Sequence, residues 1–458
     1  MSYDLAVIGS GGAAMAAAIT ARQGGKTAIL IEQGTLGGTC VNVGCVPSKT
    51  LLAAAGARHA AVTNPFDGAP TSAGPVDLAR LVGQKDELVD RLRQAKYADV
   101  AAAYGFEIRA GQARFTTADA LEVDGQPLPA GAYLIATGAG PAVPDLPGVA
   151  AADYLTSTTA MEQTELPESL VVIGGGYVGM EQAQLFAHLG ARVTLVGRLA
   201  PAAEPELAAV LQGVFADDGI TVIAERAAAV ETDGDEIVVV TAGGQRAVGH
   251  RLLVATGRQP RIRDLDLDTV GVKTDDRGFV LVDEHQATSN PRIWAAGDVA
   301  GSPQYVYVAA ATGRAAALNA TGTAGSRQAR VDYTGLPAVV FTRPQLAAAG
   351  LTEADALARG HRCECRVLDL SDVPRALANR DTRGKVKLVA DAETGKILGV
   401  HAVSDGAGEF MLAATYAIKA GMTVDDVADT WAPYLTMAES LRIAAGLFRN
   451  QMPTSCCA

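Results

Sequence analysis

Six cysteines occur in the chain, and they fall into three close pairs, Cys40/Cys45, Cys363/Cys365 and Cys456/Cys457. Six thiols among 458 residues are too sparse for the disulfide framework of a small secreted domain. Paired thiols in a large chain point instead to redox or soft-metal chemistry in a reducing compartment. The first pair sits in the string Gly37-Gly38-Thr39-Cys40-Val41-Asn42-Val43-Gly44-Cys45-Val46-Pro47-Ser48-Lys49. Five residues of regular helix rise about 7.5 Å, more than the usual Cα separation across a disulfide, so a bridging pair needs a distorted first turn. Asn42 and Gly44 can supply it. A helix start also favours thiolate, which suits a sulfur that must exchange electrons. The last pair lies in Thr454-Ser455-Cys456-Cys457-Ala458, where vicinal thiols can capture a thiophilic cation and hand it on by ligand exchange. Cys363 and Cys365 lie on a strand-like run with both side chains facing one way, and are expected to be buried structural thiols.

Two glycine fingerprints supply what such sulfurs need. Asp4 to Ile8 reads as a buried strand, followed by Gly9-Ser10-Gly11-Gly12-Ala13-Ala14 and an alanine-rich helix. Gly9 turns the chain, Gly11 admits a pyrophosphate and Ala14 allows close packing of helix on strand. Helix N-terminal amides then face the diphosphate. Glu32 closes the next strand, at the spacing of a carboxylate that accepts from a ribose hydroxyl pair. The second fingerprint is Gly174-Gly175-Gly176-Tyr177-Val178-Gly179 after Leu170 to Ile173, with Gly174, Gly176 and Gly179 in the same duties. Its second strand ends in Gly197-Arg198 with no acid. A guanidinium there pairs with a 2′-phosphate, which favours NADPH over NADH. Two nucleotide sites imply two cofactors, one a flavin and one a nicotinamide.

The elements that hold these residues follow a repeated plan. Proline-rich joints occur at Gly140 to Gly148 and around Pro260, and a segment of small and polar residues runs from about Thr321 to Pro337. Leu134-Ile135-Ala136-Thr137-Gly138 is echoed by Leu253-Val254-Ala255-Thr256-Gly257, as a duplicated nucleotide-binding architecture would produce. Beyond Pro337 come strands around Thr394-Gly395, then long helical periodicity from Gly408 to Arg449. The predicted fold is α/β, with two Rossmann-like nucleotide-binding domains, for FAD and NADPH, and a C-terminal α+β domain. The boundaries are 1–145 with 258–330 for the discontinuous FAD-binding domain, 146–257 for the NADPH-binding domain and 331–458 for the last. At 49% hydrophobic residues the chain has ample core. A net charge of −12 argues against nucleic acid or anionic membrane as partner. No apolar run reaches membrane-spanning length, so a soluble protein is expected, and the cysteine usage points to the cytoplasm.

The cysteine string and its surroundings resemble the class I pyridine nucleotide-disulfide oxidoreductases, over essentially the whole chain. The resemblance implies that Cys40 is the interchange thiol and Cys45 the flavin-proximal thiol. It implies also that Lys49 approaches the flavin N5, held by Glu181. Trp294-Ala295-Ala296-Gly297-Asp298 is similar to the family's second flavin motif, with Asp298 on the ribitol chain. Gly34, Thr39, Ala113 and Val306 stand where family members touch the flavin.

Within that family the disulfide reductases carry a C-terminal histidine as general acid. Here the aligned segment is Tyr434-Leu435-Thr436-Met437-Ala438-Glu439, and no histidine follows His401. A phenol near pKa 10 is a poor proton shuttle at neutral pH, so disulfide turnover should be crippled. Reduction of a captured metal ion has no need of that shuttle. The segment from Trp431, with Val373 to Asn379 and Pro303 to Val308, resembles the mercuric reductase branch. That branch implies NADPH-dependent reduction of Hg(II), taken from thiol complexes, to elemental mercury. Cys40, Cys45, Cys456 and Cys457 would be the metal ligands, in a homodimer whose tail cysteines serve the opposite subunit. Tyr177 and Tyr434 would flank the metal, or Tyr177 would gate the nicotinamide pocket. The branch's N-terminal metal-trafficking domain is not expected, which leaves capture to the tail. Alternatives are a large thioredoxin reductase-like disulfide reductase and a flavin-containing buffer of thiophilic metal.

Overall fold

The apolar runs that flank the two fingerprints become the centres of two parallel sheets. In the computed structural model, which describes residues 2–117, 120–325 and 328–451, the first sheet has five strands. Ile293–Ala295, Ala130–Ile135, Tyr3–Ile8, Ala28–Glu32 and Glu107–Ala110 lie side by side in that order. The second runs Thr221–Ile223, Arg192–Val196, Ser169–Ile173, Arg251–Val254 and Tyr154–Thr156. Leu5, Ala6 and Val7 in one central strand, and Val171 and Val172 in the other, are fully buried. Both faces of a parallel sheet are covered, so its strands read as continuous apolar runs. Each buried Val or Leu contributes about 1.5–3 kcal/mol. A three-stranded antiparallel layer packs on each sheet through Phe115, Leu121 and Val123 in the first and Val230, Ile237 and Val239 in the second.

The echoed strand ends have a common physical cause. Gly9 and Gly174 both adopt φ +116°, and a Cβ there would lie 2.4 Å from the Ala136 carbonyl oxygen and 2.3 Å from that of Ala255. Each echoed run is the strand against which a fingerprint's first glycine turns, so the same backbone approach is built twice. The joints that follow pair with each other, Arg258–Pro260 running antiparallel to Ala139–Pro141. Through that pair the chain leaves the first sheet and returns to add Ile293–Ala295. The returning helix, Val306–Ala320, packs on Gly12–Gln23 so closely that a Cβ on Gly313 would lie 2.1 Å from the Ala13 carbonyl oxygen.

Beyond Pro337 the sheet is antiparallel, in the order Pro337–Val340, Gln345–Gly350, Ile397–Ser404, Lys385–Asp391 and Cys363–Asp369. The expected continuous helical periodicity from Gly408 to Arg449 is interrupted. Helices Ala407–Ala420, Val424–Asp429 and Glu439–Gly446 are separated at Gly421, with φ +67°, and by 430–438, where Pro433 lacks an N–H and Leu435 has φ +59°. Periodicity survives the breaks because Phe410, Met411, Val424, Leu441 and Ala444 all face one core.

A buried charge cluster clamps this sheet to the second nucleotide-binding sheet. Lys387 is 1% exposed and donates to Glu204 at 2.9 Å, Glu206 at 3.1 Å and Glu353 at 2.7 Å. Glu204 and Glu206 open the helix Pro205–Asp217. Removing Glu204, itself buried, costs about 3–5 kcal/mol because the Lys387 charge stays out of water, whereas Glu206 and Glu353, 40% and 42% exposed, contribute less. Among the described residues no helix is long and apolar enough to cross a membrane.

Candidate active site

The first fingerprint opens on a cleft of about 990 Å³ that gathers Gly9, Gly11, Glu32, Gly34, Thr39 and Ala113. Six residues expected at the flavin from scattered positions thus share one wall. Glu32 accepts from the Ser10 hydroxyl at 2.5 Å and the Gly34 N–H at 2.8 Å, which fixes its carboxylate at the strand end. Gly38, at φ +65°, backs onto Gly11, where a Cβ would lie 2.6 Å from the Gly11 Cα. The thiol-bearing segment is therefore seated directly on the fingerprint loop. The Thr137 hydroxyl, which also lines the cleft, is buried with no hydrogen-bond partner among the described residues. A glycine cradle, a ribose-spaced carboxylate and an orphan hydroxyl fit a dinucleotide lying along this wall.

Ala14 is fully buried under the helix, and Val306 lies against Gly12 at the facing helix start. Asp298 lies in the short turn Gly297–Ala300, with the Arg258 guanidinium 3.6 Å away. Burial pushes its carboxyl up, and Arg258 opposes the shift.

The two thiols sit on different helices. Cys40 lies within the short helix Gly38–Asn42, Val43 and Gly44 break the chain, and Cys45 begins the long helix Cys45–Val62. The expected distorted first turn is thus a clean interruption between two helices. Gly44 is required there, since a Cβ would lie 2.9 Å from the Thr39 carbonyl oxygen. Asn42 locks the break by donating to the Leu36 and Gly38 carbonyls, each at 2.9 Å, and accepting from Arg93 at 2.8 Å.

Both cysteines are free and they act on each other. Cys45 is pulled down to about 7, first by the hydrogen bond from Cys40, against burial, and with help from the Lys49 ammonium and its own N–H at the helix start. Cys40 is correspondingly pushed up by that same bond and by burial. Cys45 is the thiolate and Cys40 its proton donor. Lys49 is held by both Glu181 oxygens, at 2.8 and 3.0 Å, and lies 4.5 Å above the Phe341 ring. The Phe341 N–H in turn donates to Glu181 at 2.9 Å.

Alkylation of the reduced chain by iodoacetamide is expected at Cys45 first, rising through a midpoint near pH 7 to a plateau above it. Lys49→Met should move that midpoint upward by removing the cation. A native midpoint at the free-thiol value of about 8.5 would refute the assignment.

Tyrosines enclose the thiols. Tyr97 is pushed up to about 12 by burial and by Cys40 and Cys45, and Tyr307 to about 12 by burial, Tyr177 and Cys45. Tyr307 stacks on Tyr305 with ring centroids 5.2 Å apart. Tyr177, the first residue of helix Tyr177–Leu189, has Tyr305 and Tyr307 as its phenolic neighbours. Sequence reasoning chose Tyr177 and missed Tyr97, which comes from the distant turn Gln94–Ala98 and carries no local signal. Tyr307 lies in the Pro303 to Val308 segment that sequence had singled out, without a role.

In the second fingerprint, Gly175 backs onto Arg198, where a Cβ would lie 2.2 Å from its carbonyl oxygen, and Gly179 onto Gly174 at 1.9 Å. Gly176 caps the helix with open space beside it, as close approach of a diphosphate requires. The Arg198 side chain donates to the Pro201 carbonyl at 3.3 Å. The residues present thus fit a second nucleotide.

All six histidines are engaged away from the thiols. His59 and His188 face Asp218 at 3.5 and 3.0 Å, His250 meets the Ser169 hydroxyl at 2.7 Å, and His285 the Ala329 carbonyl at 3.2 Å. His361 meets Asp391 at 3.5 Å and His401 the Leu351 carbonyl at 2.8 Å. Tyr434 is 57% exposed, near Trp431 at 97%, and is not a charged or hydrogen-bonded neighbour of either thiol within the chain, among the described residues. Cys456 and Cys457 lie outside the described residues.

Residues 3–313 match the family model described as pyridine nucleotide-disulphide oxidoreductase, and 336–445 that family's dimerisation domain. Similar curated proteins are the mercuric reductases of Streptomyces lividans, 52% identical over 100% of this chain and 98% of that protein, and Lysinibacillus sphaericus, 47% identical over 100% and 85%. That of Staphylococcus aureus is 46% identical over 100% and 84%. Among solved structures, the HOCl-induced flavoprotein disulfide reductase RclA from Escherichia coli superposes with a TM-score of 0.86 at 28% identity, covering 97% of this chain and 100% of that one.

Proposed function

The chain belongs to the pyridine nucleotide-disulphide oxidoreductase family, among its mercuric reductases, and we propose from this premise how its residues divide the work of reducing Hg(II). It is an NADPH-dependent FAD flavoprotein that acts as a homodimer. When bound, FAD supplies a two-electron relay from NADPH to the sulfur site. Cys40 and Cys45 hold the ion as a bis-thiolate, for which soft sulfur ligands are suited. Cys45 is held near its thiolate midpoint at neutral pH, and Cys40 loses its proton as the metal binds. Lys49, fixed by Glu181 and Phe341, sets positive charge beside that sulfur. Tyr97 is a phenol kept protonated, which leaves its O–H to donate to thiolate, while Tyr307, whose hydroxyl donates to the Pro337 carbonyl, walls the site against water. Elemental mercury leaves because it lacks the ion's affinity for thiolate.

The observation that carries this reading is a thiolate-biased pair with every histidine of the chain bound elsewhere. Disulfide turnover needs an acid for the leaving thiol, and Tyr434 stands in the sequence where an imidazole would supply it. In this reading Tyr434 reaches the partner's site, where it flanks the metal together with Tyr177. Cys456 and Cys457 take Hg(II) from thiol complexes and pass it to Cys40 and Cys45 of the opposite subunit. Arg198 selects NADPH through its 2′-phosphate. A reducing cytoplasm, in which free thiols persist, is the compartment.

NADPH oxidation should run about 10²-fold or more faster with thiol-complexed Hg(II) than with oxidised glutathione, lipoamide or thioredoxin, the scale of a missing general acid. A disulfide outpacing mercury sinks the reading. In the same assay, replacing both Cys456 and Cys457 by alanine should lower kcat/KM for thiol-complexed mercury by about tenfold or more, as loss of a second linked binding site does. Unchanged turnover removes the tail from the mechanism.

A further inference from the structure

Cys363 and Cys365 take no part in the site just described. The expectation that they are buried structural thiols is corrected by their partly exposed positions on the outermost strand of the C-terminal sheet, Cys363–Asp369. An edge strand lacks a neighbour on one side, so its side chains are covered less than those of the central strands. Alternate positions of a strand share a face. Register identifies that face, since Cys363 opposes Asp391, Cys365 opposes Val389 and Val367 opposes Lys387. It is the face on which Glu353, at the start of helix Glu353–Ala358, receives the Lys387 ammonium at 2.7 Å. Glu353 hydrogen-bonds Cys365, Glu353 and Asp391 are acidic neighbours of Cys363, and the Lys387 charge acts on Cys365. His361 contributes its carbonyl, 3.9 Å from the Cys363 sulfur. The opposite face of the strand holds the Glu364–Arg366 pair over Phe448 and the buried Leu368.

Two cysteines so placed suit a metal better than each other. Residues two apart in a strand have Cα atoms about 6.6–6.8 Å apart, at the outer limit for a disulfide. A metal inserted between the sulfurs asks for a separation of about 4.6 Å, twice an ordinary metal–thiolate bond, which suits two side chains on one face of a strand better than the short S–S bond does. We propose that Cys363 and Cys365 form a second site for a soft, thiophilic cation, Hg(II) above all, on the sheet edge and apart from the catalytic cleft. On binding, two S–H bonds give way to two S–Hg bonds, two protons leave to solvent and no electron is transferred. The dinucleotide cleft is lined by none of these residues, so the ion is held and not reduced. Glu353 and Asp391 favour the arriving cation, and the bis-thiolate that forms is neutral, so Lys387 keeps its carboxylate partners. The chain would then carry one ion that turnover does not consume. This inference stands apart from the reduction reading, because binding needs no turnover.

The test uses the flavin-loaded full chain with Cys40, Cys45, Cys456 and Cys457 all replaced by alanine, mixed with HgCl2 and about a tenfold excess of glutathione, then desalted. Intact-mass measurement should find one mercury per chain. Adding Cys363→Ser or Cys365→Ser should weaken retention about 10²-fold, the loss of a second linked ligand. Bound flavin verifies that each variant is folded. In the otherwise native chain, the same two serine variants should leave NADPH-dependent mercury turnover unchanged. No retained mercury in the parent, or retention indifferent to both serines, overturns the proposal.

Discussion

Mercury-dependent NADPH oxidation by a Cys45→Ala chain will fall by about 10³-fold or more, which corresponds to roughly 4 kcal/mol of lost transition-state stabilisation. Bound flavin will be retained. The size of the loss follows from how the sulfur is made. Cys45 owes its thiolate to a hydrogen bond from Cys40, to Lys49 and to its place as the first residue of a helix. None of these can be transferred to Cys40, which lies inside a different, five-residue helix and is pushed up by its environment. A single remaining thiol also cannot form the two-sulfur clamp that holds the ion during electron transfer. The sign with pH is fixed by the same facts. Cys45 is depressed to about 7, so the competent thiolate is present above that pH and is lost as pH falls through it. Steady-state oxidation of NADPH at saturating Hg(II) measures the loss, kcat/KM at limiting Hg(II) measures the pH dependence of the free thiol pair, and the flavin absorbance band measures retention. A Cys45→Ala chain with more than a tenth of native turnover, or a native kcat/KM flat from pH 6 to 8, would remove the sulfur pair from the centre of the mechanism.

What sequence could show about this site is governed by how local each signal is. Cys40, Cys45, Gly44 and Lys49 lie within ten residues, and their chemistry depends on one break between helices, so the string declares itself. The duplicated nucleotide-binding plan is equally legible. Ala136 and Ala255 present carbonyl oxygens to glycines of identical φ, and such a contact tolerates no side chain. Glu181 reaches Lys49 across 132 residues and was expected there only because of the family likeness. Tyr97 had no such guide. It stands beside the thiols because the helix Leu78–Arg93 and its continuation Gln94–Ala98 carry it there, and the amphipathic pattern of that helix says nothing of which exposed end meets a sulfur. The charge cluster on Lys387 was hidden for a different reason. Alternation of Lys385-Val386-Lys387-Leu388 reads as a strand with one wet face, whereas three carboxylates from two other segments take that face out of water. Cys363 and Cys365 show the converse, since alternation gave their common face correctly but could not tell an edge strand from a central one.

A single methyl group added to each fingerprint should separate the two cofactor sites. Gly9→Ala must be accommodated at φ +116°, with a Cβ 2.4 Å from the Ala136 oxygen and 2.9 Å from its carbon. Relief by moving that strand is blocked, because the Ala136 N–H donates to the Ile8 carbonyl at 2.9 Å and both flanking strands are buried in one parallel sheet. The turn must open instead. Strain of this backbone class costs about 1–3 kcal/mol before the clash is counted, and the opened turn no longer offers its amides to a diphosphate. The Gly9→Ala chain is therefore expected to purify with less than about a tenth of its flavin, the consequence of an affinity loss of at least 1.4 kcal/mol. Gly174→Ala meets the same geometry, with the Ala255 oxygen 2.3 Å away, but in the other sheet. That variant should keep its flavin and yellow colour, fail to oxidise NADPH, and still reduce Hg(II) once its flavin is reduced chemically by dithionite. Absorbance of the purified chains and single-turnover mercury reduction check both halves. A Gly9→Ala chain with a full complement of flavin, or a Gly174→Ala chain with native KM for NADPH, would break the link drawn here between the repeated turn and the two cofactors. The contrast is sharper than either variant alone, because one physical defect placed at two equivalent turns must produce two different chemical losses.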